Sequence, residues 1–130
     1  MTVFTDDIRS YFEGANIGHV ATVLPDGAPH SVPVWVDVEG DRIAFLTGPM
    51  TQKARNLEND PRVAISITEL VRPHSMATIR GRVTHRLEGN EAWVIIDRIS
   101  EKYIGAPYPE RRNRVVFIVE VEWASTMKFG

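Results

Sequence analysis

Short runs of alternating apolar and polar residues, each closed by a turn signal, dominate the first half of the chain. Residues 16–24 are rich in β-branched and small apolar side chains and end at a Pro-Asp-Gly turn signal, residues 25–27. From His30 to Val38, valines then alternate with other residues, which is the two-residue period of a strand. The two runs predict a β-hairpin and therefore an antiparallel sheet.

The rest of the chain extends this pattern. It predicts further strands over 42–47, 62–68, 76–87 and 114–123, and helices between Thr5 and Gly14, over 51–59 and over 90–103. Gly81 interrupts the longest strand and predicts a bulge or sharp bend there. Six antiparallel strands joined by tight turns tend to close, because closure removes exposed edges. We therefore predict a mainly β protein, a small β-barrel capped by short helices, in a single domain over residues 1–130.

Two predicted strands are apolar on both faces, which a simple barrel does not require. Pro33 and Trp35 lie opposite the valines of their strand, and Val116 and Ile118 lie opposite the apolar residues of the last one. The second apolar surface must be covered, and a homodimer is the simplest way to cover it.

Composition excludes several classes of protein. The formal net charge of -2 argues against a nucleic-acid partner, which would favour a basic excess. The chain has 0 cysteines, so it has neither disulfides nor thiolate chemistry. No apolar run is long enough to span a bilayer, and the first residues lack a signal-peptide pattern, so we expect a soluble, cytoplasmic protein without a membrane partner. The four histidines show no metal-ligand spacing, and no metal site is predicted.

The segment between the third strand and the second helix is the best candidate for a binding site. Thr51 is a credible N-cap, and Lys53 and Arg55 follow within the first helical turn or so. Positive charge is unfavourable at this end of a helix, where the helix dipole is itself positive, unless an anion is bound. Free backbone N–H groups and two cations together suit a phosphate. The alternative is an ordinary solvated helix with surface charges.

Several motifs of this region resemble those of the split-barrel flavoproteins related to pyridoxamine 5'-phosphate oxidase. They are Phe45-Leu46-Thr47, Lys53-Ala54-Arg55-Asn56-Leu57, Asp60-Pro61-Arg62-Val63-Ala64-Ile65 and the strand from Gly27 to Trp35. Within that family the chain is most similar to the branch that uses the deazaflavin coenzyme F-420. The C-terminal substrate-binding residues of the oxidases acting on pyridoxamine phosphate are not seen, which disfavours vitamin B6 chemistry.

The resemblance implies roles for particular residues. Lys53 would contact the cofactor phosphate, with Arg55 and Asn56 assisting it or fixing the loop. Gln52 would reach the ring or the ribityl chain. The remaining implied contacts lie beside the ring system: Phe45, Leu46 and Thr47 on one side, with their backbone groups hydrogen-bonded to its polar edge, and Ser31, Pro33 and Trp35 on the other. No side chain is assigned a catalytic role.

The implied activity is that of an oxidoreductase, which transfers a hydride between bound coenzyme F-420 and a small conjugated or heteroaromatic substrate. One alternative is an FMN-dependent reductase or oxidase with the same fold. Another is a non-catalytic carrier of flavin or haem. The basic run over residues 110–114 is either a solvated turn or a clamp for an anionic cofactor tail.

Overall fold

A single antiparallel sheet of seven strands forms most of the protein in the computed structural model, which describes residues 3–128. The strands are β1 (Gly18–Val23), β2 (Pro29–Val34), β3 (Val36–Glu39), β4 (Arg42–Thr47), β5 (Arg62–Thr68), β6 (Ser75–Leu87) and β7 (Val115–Lys128). The helices are α1 (Asp6–Glu13), α2 (Gln52–Asn59) and α3 (Gly89–Ile104). The hydroxyls of Thr5 and Thr51 accept backbone N–H bonds at the starts of α1 and α2, as predicted.

The order of the strands shows how the sheet curls. It runs β2-β1-β5-β6-β7-β4-β3, so the two edge strands are consecutive in the chain and only Trp35 separates them. The sheet must curl until its edges approach each other, because one residue cannot cross a flat seven-stranded sheet. The result is a curled half-barrel with short helices, which confirms the predicted mainly β split barrel.

Two predicted strand boundaries are wrong. The predicted strand from His30 to Val38 is two strands, because the chain leaves β1 at Trp35 and pairs with β4 from Val36 onward. The last strand continues to Lys128, well beyond its predicted end at Trp123, because it pairs with β6 as far as Ser75. Alternation shows which face a residue occupies, but it does not show which strand is its partner.

The inside of the curl holds the main apolar core. Its largest buried side chains include Phe45, Ile65 and Ile79 from the sheet and Tyr11 and Phe12 from α1. The bulge predicted at Gly81 is present as a register shift between β6 and β7. A Cβ atom at Gly81 would lie 2.0 Å from the carbonyl oxygen of Glu120, so the two backbones approach here in a way that only glycine allows.

Helix α3 covers part of the outer face of the sheet. Its apolar face packs on β4 and β7 in a second core, formed by Ala44, Leu46, Val116 and Ile118 with Ala92, Ile95, Ile96 and Ile99. The apolar face around Val116 and Ile118, from which a homodimer was predicted, is therefore covered within the same chain. The outer faces of β1, β5 and β6 have no helix over them within residues 3–128.

The seam where the sheet edges meet is held by two side chains at the end of α3. The Tyr103 hydroxyl donates to the carbonyl of Asn16 and accepts the N–H of Val36 at 3.1 Å. Lys102 Nζ donates to the carbonyls of Val36 and Phe12. Burial raises the pKa of Tyr103 to about 12, so this hydroxyl keeps its proton at neutral pH.

Candidate functional site

An opening in the wall of the half-barrel lies where the two edge strands diverge. The pairing of β3 with β4 ends at Val36 and Phe45, while β4 continues to Thr47 with β7 on its other side. Pro33 lies on β2, on the far side of this opening, and has no N–H to pair. The opening leads to a cavity of about 330 Å³ lined by Pro33, Val34, Trp35, Leu46, Thr47, Gly48, Thr51, Lys53, Tyr108 and Arg114. Its volume is at the lower end of the range for small-molecule sites.

The start of α2 lies at this cavity, since Thr51 and Lys53 line it. The Thr51 hydroxyl accepts the N–H of Ala54 and contacts the hydroxyl of Thr47 at 3.1 Å. The N–H groups of Gln52 and Lys53 have no acceptor within residues 3–128. Two unpaired N–H groups at the positive end of a helix form a local site for an anion.

Lys53 is the cation nearest to this helix end. It is half-buried, and no hydrogen bond or ion pair involves its ammonium group in the described part of the chain. Burial lowers the pKa of Lys53, because the protein replaces part of its water without supplying a negative partner. An anion in the cavity would supply that partner.

Arg114 is a second cation at the cavity, and it comes from a distant part of the sequence. It follows Asn113, whose φ of 55° is in the left-handed region that asparagine tolerates. Its guanidinium donates to the Tyr108 hydroxyl at 3.2 Å and to the carbonyl of Asn113 at 2.8 Å. The basic run pointed to this segment, but the sequence did not indicate which of its arginines reaches the cavity.

Aromatic side chains form one wall. The rings of Trp35 and Tyr103 are stacked with centroids 5.0 Å apart and planes 5° apart. Tyr108 meets Trp35 edge-on, with centroids 6.0 Å apart. Trp35 is thus fixed by packing within its own chain and also lines the cavity. A flat apolar wall of this kind suits a planar ring.

The structure brings five of the ten sequence-predicted site residues to the cavity: Lys53, Thr47, Leu46, Pro33 and Trp35. Gln52 is half-buried nearby, and its amide group bonds Asn56 and Arg55, each at 2.8 Å. Asn56 is 1% exposed and donates to the Thr22 hydroxyl at 3.0 Å, which ties α2 to β1. Arg55 is exposed on the same helix.

Two other predicted residues lie away from the cavity. The Phe45 ring is fully buried in the main core against Phe117, with centroids 5.5 Å apart. Ser31 is exposed on the outer face of β2. The cavity residues that sequence reasoning did not name are Val34, Gly48, Tyr108 and, as a binding residue, Thr51; only Thr51 carried a signal, as the N-cap.

Within residues 3–128, no group of three or more acidic, histidine or cysteine side chains could hold a metal ion. Over the same residues, no helix is long and apolar enough to cross a membrane.

Comparison with solved structures supports the architecture. An F-420 reductase is 27% identical with a TM-score of 0.79, over 90% of this chain and 94% of that chain. A conserved hypothetical protein from Mycobacterium tuberculosis is 24% identical with a TM-score of 0.79, over 98% of this chain and 86% of that one. A heme binding protein from Mycobacterium smegmatis is 23% identical with a TM-score of 0.72, over 94% of this chain and 53% of that one. No curated protein matched the chain.

Family assignment rests on the sequence as well as on the fold. The sequence model of the pyridoxamine 5'-phosphate oxidase family matches residues 4–128, nearly the whole chain. The similarity to an F-420 reductase agrees with the branch that the sequence resembles. With its seven-stranded half-barrel and its cavity between the diverging edges, the chain belongs to the pyridoxamine 5'-phosphate oxidase family of split-barrel proteins.

Proposed function

We propose that the protein is an oxidoreductase that binds coenzyme F-420 in the cavity between β2 and β4, with the phosphate of the cofactor at Lys53. The observation that carries the proposal is a half-buried lysine without an acidic partner in the described chain, beside two unpaired N–H groups at the start of α2. The F-420 reductase that resembles this chain supports the choice of a deazaflavin.

The residues at the cavity fit such a cofactor by their chemistry. Cations and helix N–H groups match a phosphate, and the Trp35 wall matches a planar ring. Beyond Phe45, the backbone of Leu46 and Thr47 has no strand on the side of the opening, so it can bond the polar edge of a ring. The opening is bounded by apolar residues, Val34 and Leu46 among them, that limit contact with water.

A bound deazaflavin supplies hydride transfer, and the protein binds and orients it. We propose a small conjugated or heteroaromatic substrate, which accepts a hydride at carbon and takes its proton from solvent. No side chain of the cavity is required as an acid. FMN is the alternative cofactor, since its phosphate and planar ring make the same demands on these residues. A carrier of flavin or haem would bind its ligand without reducing any substrate.

Replacing Lys53 by methionine is expected to weaken binding of F-420 and of FMN by about tenfold to a hundredfold, because a hydrogen bond to a charged group is lost. The measurement is a fluorescence titration of the purified protein with each cofactor. Arg72→Met is the control, since Arg72 is an exposed cation on the loop between β5 and β6, does not line the cavity and is not among the residues that the family resemblance places at the cofactor. Unchanged affinity in Lys53→Met would exclude this site. The same titration of the unaltered protein shows which of the two cofactors binds more tightly.

We also propose that the protein is a homodimer that pairs through the outer face of β1, β5 and β6. A cavity of about 560 Å³ on this face is lined by Ala21, Val23, Ala64 and Trp123, which is 42% exposed, and also by charged side chains, namely Arg62, Arg80, Arg82 and Glu122. Sedimentation should give the mass of two chains, and Trp123→Glu should shift the protein towards one chain. Leu70→Glu, on an exposed loop, should leave the mass unchanged. A single-chain mass at high concentration would contradict the proposal.

A further inference from the structure

The three arginines just before β7 have different partners. Arg111 pairs with Asp97 at 2.6 Å and lies over the Trp93 ring, with its guanidinium carbon 4.3 Å from the ring centroid. Arg112 is exposed and lies 3.6 Å from Glu110. Arg114 has no acidic partner within residues 3–128, and it alone of the three lines the cavity. Of these three arginines, only Arg114 therefore brings a positive charge without an acidic partner to the cavity, as Lys53 does.

The hydrogen bonds of Arg114 leave one nitrogen of its forked guanidinium group free. The Nε–H donates to the Tyr108 hydroxyl, and Nη1 donates to the carbonyls of Asn113 and Arg112. Nη2 has no acceptor in the described part of the chain. A guanidinium fixed on one side with two free N–H groups on the other is suited to an oxyanion, because the donors are held before the ligand arrives.

Tyr108 is itself fixed from three directions. Its backbone N–H donates to Asp97 at 3.1 Å, its ring meets Trp35 edge-on, and its hydroxyl accepts the Arg114 bond. The bond from Arg111 holds the pKa of Asp97 below its usual range, so this carboxylate stays charged as an acceptor. Tyr108 thus connects the aromatic wall, helix α3 and the second cation.

We propose that Arg114 is a second phosphate-binding residue of the cavity, holding the anion together with Lys53, and that Tyr108 is the positioning residue that aims the Arg114 fork. The proposal rests on the proposed cofactor site. It makes the site selective for the phosphorylated form of a flavin or deazaflavin over the form that lacks phosphate, since both cations engage that one group.

The test compares two ligand pairs that differ only in the phosphate: FMN with riboflavin, and 8-hydroxy-5-deazariboflavin 5'-phosphate with 8-hydroxy-5-deazariboflavin, each titrated into the protein. In whichever pair binds to the protein, Arg114→Met should lower the affinity for the phosphorylated ligand by about tenfold to a hundredfold. It should leave the affinity for the phosphate-free ligand unchanged. Arg114→Lys should bind the phosphorylated ligand more tightly than Arg114→Met but less tightly than the unaltered protein, because lysine keeps the positive charge and lacks the paired N–H donors of a guanidinium. Tyr108→Phe should reduce the same preference by a smaller factor. Arg112→Met, in the same basic run, is the matched control and should bind like the unaltered protein.

Two results would overturn the inference. One is unchanged affinity for the phosphorylated ligand in Arg114→Met. The other is equal weakening of both members of a pair, which would mean that Arg114 only supports the wall. Inorganic phosphate, titrated by calorimetry, separates this inference from the proposed function. Binding of phosphate that requires Arg114, in a protein that binds no flavin or deazaflavin, would overturn the cofactor assignment and support the two-cation site.

Discussion

Replacing Phe45 by alanine is expected to lower the free energy of unfolding by about 3–5 kcal/mol, the range for removing a buried phenylalanine side chain. Phe45 is 0% exposed and packs on Phe117 at the centre of the main core. Since small domains are stable by only about 5–15 kcal/mol, the variant should unfold at a much lower urea concentration. Equilibrium urea unfolding, followed by circular dichroism, measures the loss.

Leu70→Ala is the control for the loss of an apolar side chain. Leu70 is 74% exposed on the loop between β5 and β6, so its truncation should change stability by no more than about 0.5 kcal/mol. A loss below about 1 kcal/mol in Phe45→Ala would contradict the buried position, because even a one-methylene truncation such as Ile→Val costs about that much. It would mean that the Phe45 ring is exposed to solvent and not part of the main core.

Replacing Lys102 by methionine should cost about 2–4 kcal/mol, since it leaves the carbonyls of Phe12 and Val36 without their ammonium donor. Phe12 lies in the last turn of α1, which has no basic residue of its own. Lys102 therefore supplies, from a distant helix, the positive charge that a helix C-terminus favours. Urea unfolding again measures the loss, and Lys128→Met, which removes an exposed partner of Asp7, should cost about 1 kcal/mol at most.

The contribution of Lys102 should also depend on pH, in a direction that its burial determines. Burial holds the pKa of Lys102 below its ordinary value, although Asp37 opposes the shift. At pH values between the pKa of Lys102 in the folded protein and its pKa in the unfolded chain, the unfolded chain binds more protons than the folded protein. The free energy of unfolding therefore rises with pH over this range. The difference in stability between the unaltered protein and Lys102→Met should therefore grow as the pH rises from neutral towards about 10.4, the pKa of an exposed lysine. A constant difference would show that the pKa of Lys102 is not shifted by folding, and a shrinking difference would show that its pKa is raised in the folded state; either result would contradict the prediction.

Local signals were sufficient for most of the fold. The bounds of β4 and β5 agree with the prediction residue for residue, since both strands lie between clear turn or helix signals. Thr51 was recognised as an N-cap because the capping hydroxyl and the start of the helix are close in sequence. Gly81 was recognised as a bulge because a glycine within a strand rarely has another reason to be there.

Contacts between distant residues explain most of what the sequence did not show. Lys53 and Arg114 line the same cavity because β4 and β7 are neighbours in the sheet, a pairing that no local pattern encodes. Arg55 and Asn56 belong to the same motif as Lys53, but a helix turns successive side chains in different directions, so Asn56 packs on β1 instead. The chain changes its strand partner from β1 to β4 at Trp35, and the sequence does not show this change, because the alternation of valines with other residues continues through Trp35.

The single residue between β2 and β3 also limits the addition of strands from other molecules to the edges of the sheet. An open sheet normally presents two edges of unpaired backbone groups, to which strands of other molecules can add. Here both edges end at the same point in the chain, where Pro33 has no N–H and the N–H and carbonyl of Val36 are bonded by Tyr103 and Lys102. At this point β4 continues from Leu46 to Thr47 without a strand on the side of the opening, a two-residue stretch that suits a small molecule better than a strand of another chain.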